Sequence, residues 1–445
     1  MDEYNGYEKA EFGDERLSKR LAIILDQLAS DPTASISAAC RDPHQAKAVY
    51  RFLGNDDVTT EAITEITRNV TLESIFEAKP SVVLMPQDTT SANFSSLKET
   101  VGLGNIGSSK SALGIEVHSS IAIGETGEIY GLLAQKLWTR PPEDFGKSDA
   151  SRKNLPIEDK ESFKWLETLE RVGSSFPEGT LAVHVCDREG DIFELFAKAE
   201  KDGVNYLCRR SHNRSIEEDG MKKLDSFLNS LPAAGSINVH VPRDSHKKRP
   251  ARTAEVEIKF AKCKITKPQT LAGNKDLPES IEVYVVSAVE IDPPSENVKI
   301  SWQLITNVPT VTFEDAVTRI QWYTQRWKIE SFHFTLKSGC KIEELQYETA
   351  EKLKKLITIY SIIALQIMLL SYVARTQPNE TCEICLTEDE WQILYRVANK
   401  TKDVPDKPPT IYEAVVMIAK LGGFLARKSD GFPGVKVMWR GLTKF

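Results

Sequence analysis

Between about residues 12 and 78 the apolar positions recur at helical spacing. In GDERLSKRLAIILDQLA, Leu17, Leu21, Ile24, Leu25 and Leu28 share one face, and HQAKAVYRFLGN adds a second amphipathic turn ending near Gly54 and Asn55. From Ser81 the period changes. SVVLMPQD, IEVHSSIAI and EIYGLLAQKLW are short apolar runs separated by the glycine turns GLGNIG and GETGE, which predicts a strand and then an antiparallel hairpin or meander. GLGNIG does not open a helix after a strand, so it reads as turn glycines rather than a dinucleotide fingerprint. The helix ESFKWLETLERV, the strand TLAVHVCD, the helix DIFELFAKAEKDG and the strand NYLCR then alternate, the pattern of an α/β core with a mixed sheet. Between Arg214 and Ser301, AEVEIKF and IEVYVVSAVEI alternate polar and apolar residues and predict an inserted β-rich subdomain. After KISWQLITN the pattern is helical, over Phe313 to about Lys337, Ala350 to Arg375, Glu388 to Lys400 and Thr410 to Leu421.

A chain of 445 residues is long enough for two to four domains, and 41% hydrophobic with 27% charged residues is ordinary for a globular protein. The net charge of -7 argues weakly against a nucleic-acid partner, but binding depends on where Lys and Arg cluster. Arg209, Arg210 and Arg214 follow a predicted strand, Lys247, Lys248, Arg249 and Arg252 share a turn-like segment, and Arg16, Arg20, Lys47 and Arg51 give the N-terminal helices a basic side. Each cluster also reads as a solvated surface. MDEYNGYEKAEFGDERL is acidic and has no apolar signal region, so a cytoplasmic protein is expected. The long apolar run Leu356 to Ala374 contains Thr358, Tyr360, Ser361, Gln366 and Ser371, which favours a buried core helix over a membrane span. The seven cysteines are scattered, so reduced thiols are expected. Cys382 and Cys385 form a lone C-x-x-C with no second pair, which makes a structural zinc the lesser reading.

The candidate chemistry lies in YTQRWKIESFHFTLK, Tyr323 to Lys337. At about 100° per residue on a helix, Arg326, Glu330 and Lys337 fall at about 300°, 340° and 320° from Tyr323, within roughly 60° of arc. One face then carries a carboxylate and three groups suited to phosphate. Asp88 follows the apolar run Val82 to Met85, and Asp187 follows Leu181 to Cys186, so each ends a predicted core strand, where ligands of α/β sheets gather. In DREGD, Asp187 reads as the metal ligand and Asp191 as the helix cap. Three carboxylates converging from two strand ends and a helix suit hard divalent cations, Mg²⁺ best. Two ions about 4 Å apart would activate a water or a 3′-hydroxyl and stabilise the leaving oxygen of a phosphodiester. Arg326, Lys337 and Tyr323 would hold neighbouring phosphates. Trp327 is expected to pack the helix onto the core, and His333 reads equally as packing or as support for the active face.

QDTTS around Asp88, VCDREGDI around Asp187 and YTQRWKIESFHFTLKSG around Glu330 together resemble the cut-and-paste DDE transposases of bacterial insertion sequences that carry the Tyr-Arg-Glu-Lys signature. GDERLSKRL, AVYRFLGN, RPAR (249–252), EIDPP (290–294), TEDEWQIL and IAKLGGF extend the resemblance over almost the whole chain. It implies a ribonuclease-H-like α/β catalytic core at 79–345 with a β-rich insertion at about 213–300. It also implies a helical DNA-binding domain at 1–78 and a helical dimerisation domain at 346–445. Asp88, Asp187 and Glu330 would be the catalytic metal ligands for two Mg²⁺ ions, with Mn²⁺ as a substitute. The implied reactions are strand nicking, hairpin formation and opening, and strand transfer, on double-stranded terminal inverted repeats and target DNA, by a homodimer in a synaptic complex associated with the bacterial nucleoid and no membrane. Trp302 matches the tryptophan that engages a flipped base at the hairpin. Arg51 with Arg16 or Arg20 would contact terminal-repeat DNA, and Arg209 or Arg210 the DNA near the cut. A non-catalytic DNA-binding regulator or domesticated derivative is the alternative.

Overall fold

Four side-chain oxygens turned back onto backbone N–H groups start the N-terminal helices. Asp14 caps α1 (Glu15–Ser30), Ser35 caps α2 (Ile36–Ala39), Asp42 caps α3 (Pro43–Leu53) and Thr59 caps α4 (Thr60–Ala78). In the computed structural model the described residues are 4–40, 42–107, 109–141, 155–218, 220–241, 251–295, 298–427, 430–442 and 444. The expected basic segment at Lys247 to Arg249 lies outside them.

The chain continues through β1 (Val82–Asn93), β2 (Gly104–Asn105), β3 (Leu113–Gly124), β4 (Ile129–Trp138), α5 (Phe163–Val172), β5 (Leu181–Cys186), α6 (Phe193–Asp202) and β6 (Asn205–Arg209). The predicted β-rich segment holds β7 (Ser215–Glu218), β8 (Met221–Lys223), an unforeseen short helix α7 (Leu224–Ser230), β9 (Gly235–Val241), β10 (Arg252–Thr266) and β11 (Ser280–Glu290). Then follow β12 (Ser301–Thr306), α8 (Phe313–Thr324), α9 (Trp327–Phe334), α10 (Ala350–Thr376), α11 (Glu388–Asn399), α12 (Ile411–Leu421) and α13 (Val435–Leu442).

Two compact units share these elements, one of Met1–Lys79, Thr89–Gly146 and Lys328–Phe445, the other of Pro80–Asp88 and Lys147–Trp327. In the first, β3 and β4 form the predicted antiparallel hairpin, with Thr89 to Asn93 of β1 beside β3. The α4 and α10 helices lie on β4. Thr71 donates to the Leu132 carbonyl at 3.0 Å and Gln135 donates to Ser361 at 2.9 Å, so these two buried donors of apolar elements find partners inside. By length and composition α10 could cross a membrane, but 78% of its most apolar window is buried within the protein, as the core-helix reading expects. Leu370, Trp391, Leu394, Ile411, Val415 and Ile418 form a further core among the C-terminal helices.

In the second unit, Val82 to Pro86 of β1 pair in parallel with Leu181 to Val185 of β5, and β5 pairs in parallel with β6. The neighbours β4, β3, β1 in one unit and β1, β5, β6 in the other are those of a ribonuclease-H-like sheet. The β6 strand then pairs antiparallel with β12, β12 with β11, and β11 with β10. The β-rich segment is thus hydrogen-bonded into the same sheet as the α/β core. Trp165, Phe196 and Tyr206 from the core share one hydrophobic cluster with Cys263, Ile265 and Val283 from that segment.

His184 lies in the middle of this sheet, fully buried, with Nδ1 3.4 Å from Gln87 Nε2. Burial pushes its imidazole down to about 3. The folded value is below the unfolded one, so its contribution is complete above about pH 6.5 and is lost as pH falls toward 3. The denaturant midpoint is therefore expected to fall between pH 6.5 and 4 more steeply in the natural protein than in His184→Gln. Parallel slopes in the two proteins would show that His184 does not carry this dependence.

Candidate active site

The parallel register that pairs Pro86 with Val185 reaches Asp88 and Asp187 two residues on, placing both carboxylates at one level: Asp187 just past the end of β5, and Asp88 not at a strand end, as expected, but within β1, which runs on to Asn93. The turn after β5 is tight because a side chain at Gly190 would come within 2.5 Å of Cys186 Cβ. Asp187 starts that turn, accepting the Glu189 N–H at 2.8 Å. Burial raises the Asp187 carboxyl, the Glu189 charge adds to this, and the Arg326 guanidinium opposes both. Arg326 Nη1 is 3.3 Å from Asp88 Oδ2, so one cation serves both aspartates.

Around Arg326 an aromatic and cationic group assembles within the same unit. The guanidinium carbon is 5.9 Å from the centre of the Tyr323 ring, and the Trp302 ring meets Tyr323 edge-on at 6.2 Å. Tyr323 is only 5% exposed; burial raises its phenol, while Arg326 and Arg209 pull it back. Arg209 Nη2 donates to the Ser301 carbonyl at 3.0 Å, tying the end of β6 to the start of β12. Arg210 is held by Asp225 and Gln303, and Arg214 is buried against Asp191.

The structure corrects three further readings of the sequence. The signature does not lie on one regular helix: α8 ends at Thr324, the N–H groups of Gln325 and Arg326 bond three residues back, and after α9 the turns widen to a π-helix over Thr335–Gly339. A constant 100° step therefore does not carry the angle from Tyr323 to Lys337. Asp191 is not a helix cap. Its buried carboxylate accepts Ser211 N–H at 2.7 Å, His212 N–H at 2.9 Å and Arg214 Nε–H at 2.7 Å, and the residue at the cap position of α6 is Ile192, which supplies no side-chain cap. Trp327, expected to pack on the core, is 63% exposed, because it opens α9 just past the break.

Asp88, Asp187, Tyr323, Arg326, Trp302, Arg209 and Arg210 belong to one unit; Glu330, Lys337, Arg16, Arg20 and Arg51 belong to the other. Among the described residues no three His, Cys, Asp or Glu side chains form a group that could hold a metal ion. Lys337 Nζ donates to the Ser91 carbonyl at 2.8 Å and is 3.1 Å from Glu343. His333 is buried beside Phe332, and burial, then Lys337, pushes its imidazole down to about 3. Arg16 is exposed and paired with Asp14 at 2.8 Å, Arg20 donates to Gln45 at 2.7 Å, and Arg51 is exposed at the end of α3. Sequence reasoning missed the buried polar patch of β3, where Ser91 donates to Glu116 at 2.7 Å, Arg140 pairs with Glu116 at 2.7 Å, and Thr89 meets His118 at 2.8 Å. The signal was Glu116 and His118 inside an otherwise apolar strand.

The Asp88 and Asp187 pair offers hard oxygen donors, the donor type that fits a divalent cation, and here the Arg326 guanidinium supplies the positive charge beside them. Three family models match the chain: a transposase DNA-binding model over residues 5–58, a transposase DDE domain model over 163–367, and a transposase Tn5 dimerisation domain model over 362–445. A solved structure, the cryo-EM piggyBac transposase synaptic complex with hairpin DNA, is 11% identical with a TM-score of 0.34, covering 93% of this chain and 74% of that one.

Proposed function

We propose that this chain, a DDE transposase with DNA-binding, catalytic and dimerisation domains, moves DNA by cut and paste through nicking, hairpin formation and opening, and strand transfer. The observation that carries the reading is the level placement of Asp88 and Asp187 on adjacent parallel strands, with Arg326 3.3 Å from the first and acting on the second. Glu330, placed by its spacing in the signature, is the third member of the set. The domains run 1–78 for end binding, 79–345 for catalysis and 346–445 for pairing of two copies.

Asp88, Asp187 and Glu330 would hold two Mg²⁺ ions, or Mn²⁺ in their place. Bound there, the cations supply Lewis acidity toward phosphoryl oxygens and lower the cost of deprotonating a water or a 3′-hydroxyl. The side chains of this protein bind and orient the rest. Arg326 offers donors to a phosphate oxygen, Tyr323 a hydroxyl and Lys337 a point charge. Trp302, half-buried at the start of β12, offers a ring against which an unstacked base rests at the hairpin turn. Arg209 and Arg210 serve the flanking backbone; Arg16, Arg20 and Arg51 serve the terminal repeat.

The test uses purified protein with Mg²⁺ or Mn²⁺ and duplexes carrying the short inverted repeats that flank its gene. Nicks followed by hairpin ends are expected with repeat DNA and not with random duplex. Firm repeat binding without cutting in either metal would point instead to a non-catalytic regulator. Equal cutting of random duplex would point to a general nuclease.

A further inference from the structure

Two motifs have no part in the site described above, RPAR (249–252) and EIDPP (290–294), and the structure joins them through their ends. Arg252, the last residue of the first, opens β10; Glu290, the first of the second, closes β11. Their side chains are 15% and 2% exposed, and Arg252 makes a two-pronged contact, Nη1 to Oε1 and Nη2 to Oε2 at 3.0 Å. The remaining bonds of the pair go to the segment that enters β12. Arg252 Nη2 also donates to the Val298 carbonyl at 3.0 Å, and Glu290 Oε2 accepts the Ile300 N–H at 3.0 Å.

Ile300 is two residues before Trp302. Between them, Ser301 lends its carbonyl to Arg209, and Trp302 itself lies opposite Ala288 in the β11 ladder with its ring on Tyr323. The incoming segment is thus fixed at Val298, Ile300 and Ser301 before it presents the ring. An ion pair this buried is a costly way to gain stability alone, since apolar residues of similar volume do as well or better. Its use here is geometric: a planar fork and a carboxylate define where the strand begins.

We propose that the Arg252 and Glu290 pair is a positioning clamp that sets the place of the Trp302 ring and, through it, supports the hairpin steps rather than the first nick. The consequence for catalysis rests on the hairpin role proposed for Trp302; the geometric part does not. Arg252→Lys keeps the charge and loses the fork, and Glu290→Gln keeps the shape and loses the charge.

Both variants are made in protein carrying 5-fluorotryptophan, with the Trp302 line among the seven tryptophans assigned by Trp302→Phe. In fluorine NMR the Trp302 line is expected to shift or broaden while the other tryptophan lines hold. With Mg²⁺ and repeat DNA, hairpin formation is expected to slow roughly 10- to 100-fold, the cost of a small misplacement, with first-strand nicking and end binding kept. An unmoved Trp302 line in both variants overturns the clamp. So does a change in all tryptophan lines, or nicking that falls as far as hairpin formation, since either marks general loosening. If the Trp302 line moves but Trp302→Ala forms hairpins at the natural rate, the clamp stands and the hairpin role of Trp302 falls.

Discussion

Asp88→Ala, Asp187→Ala and Glu330→Ala are each expected to abolish cleavage of repeat DNA in Mg²⁺, by on the order of 10³-fold or more, with end binding retained. A metal-held phosphoryl group gains several kcal/mol of transition-state stabilisation, and each 1.4 kcal/mol is about tenfold in rate. The three positions differ in their surroundings. Asp88→Ala and Asp187→Ala each remove a partner of Arg326, so far-ultraviolet circular dichroism and the denaturant midpoint must accompany the rates. Asp88→Asn and Asp187→Asn retain the shape and serve as controls for folding. Full cleavage by Glu330→Ala would remove it from the catalytic set and leave the two aspartates to be paired with another acid. Full cleavage by either aspartate variant would remove the whole assignment.

Asp191→Ala is expected to destabilise the protein by about 3–5 kcal/mol without touching the reacting groups, because it strands a buried guanidinium. Arg214 and Asp191 are 5% and 0% exposed at their side chains, and Arg214 also lies 5.1 Å over the Phe196 ring and donates to the Asp191 carbonyl at 2.7 Å. The same carboxylate holds the Ser211 and His212 N–H groups, so its loss frees the loop that follows Arg209 and Arg210. Urea unfolding gives the magnitude. Asp191→Ala combined with Arg214→Met should recover most of the loss, since no unpaired charge then remains buried. A single variant within about 1 kcal/mol of the natural protein would mean that water reaches Arg214 readily and that the pair adds little.

Asp88 follows an apolar run, but its strand continues through polar residues to Asn93, which the apolar pattern does not mark. Asp187 was legible as a strand end because an apolar run that stops at an acid is a local pattern. The same holds for the capped N-terminal helices and for α10, whose buried polar residues marked it as a core helix. Asp191 was misread because a cap and a buried ion pair look alike from one side of the chain: its partners lie 20 to 23 residues on, at Ser211, His212 and Arg214. The signature helix was overextended for a different reason. A turn that bonds three residues back and another that widens to π cost little and leave the side-chain sequence unchanged, so periodicity passes over them. Trp327 then lands on the exposed side of a break that arithmetic did not contain.

By itself the amino-acid sequence determined the element order, the acids that follow two apolar runs, the spacing of Tyr323, Arg326, Glu330 and Lys337, and the membership of motifs, all of which depend on neighbours along the chain. Only the tertiary structure decided that Arg326 lies against Asp88, that Asp191 answers Arg214, and that Arg252 and Glu290 meet 38 residues apart at the entrance to β12. Those are pairings of charge inside a low-dielectric interior, where the partner is chosen by which strands lie side by side rather than by which residues follow one another.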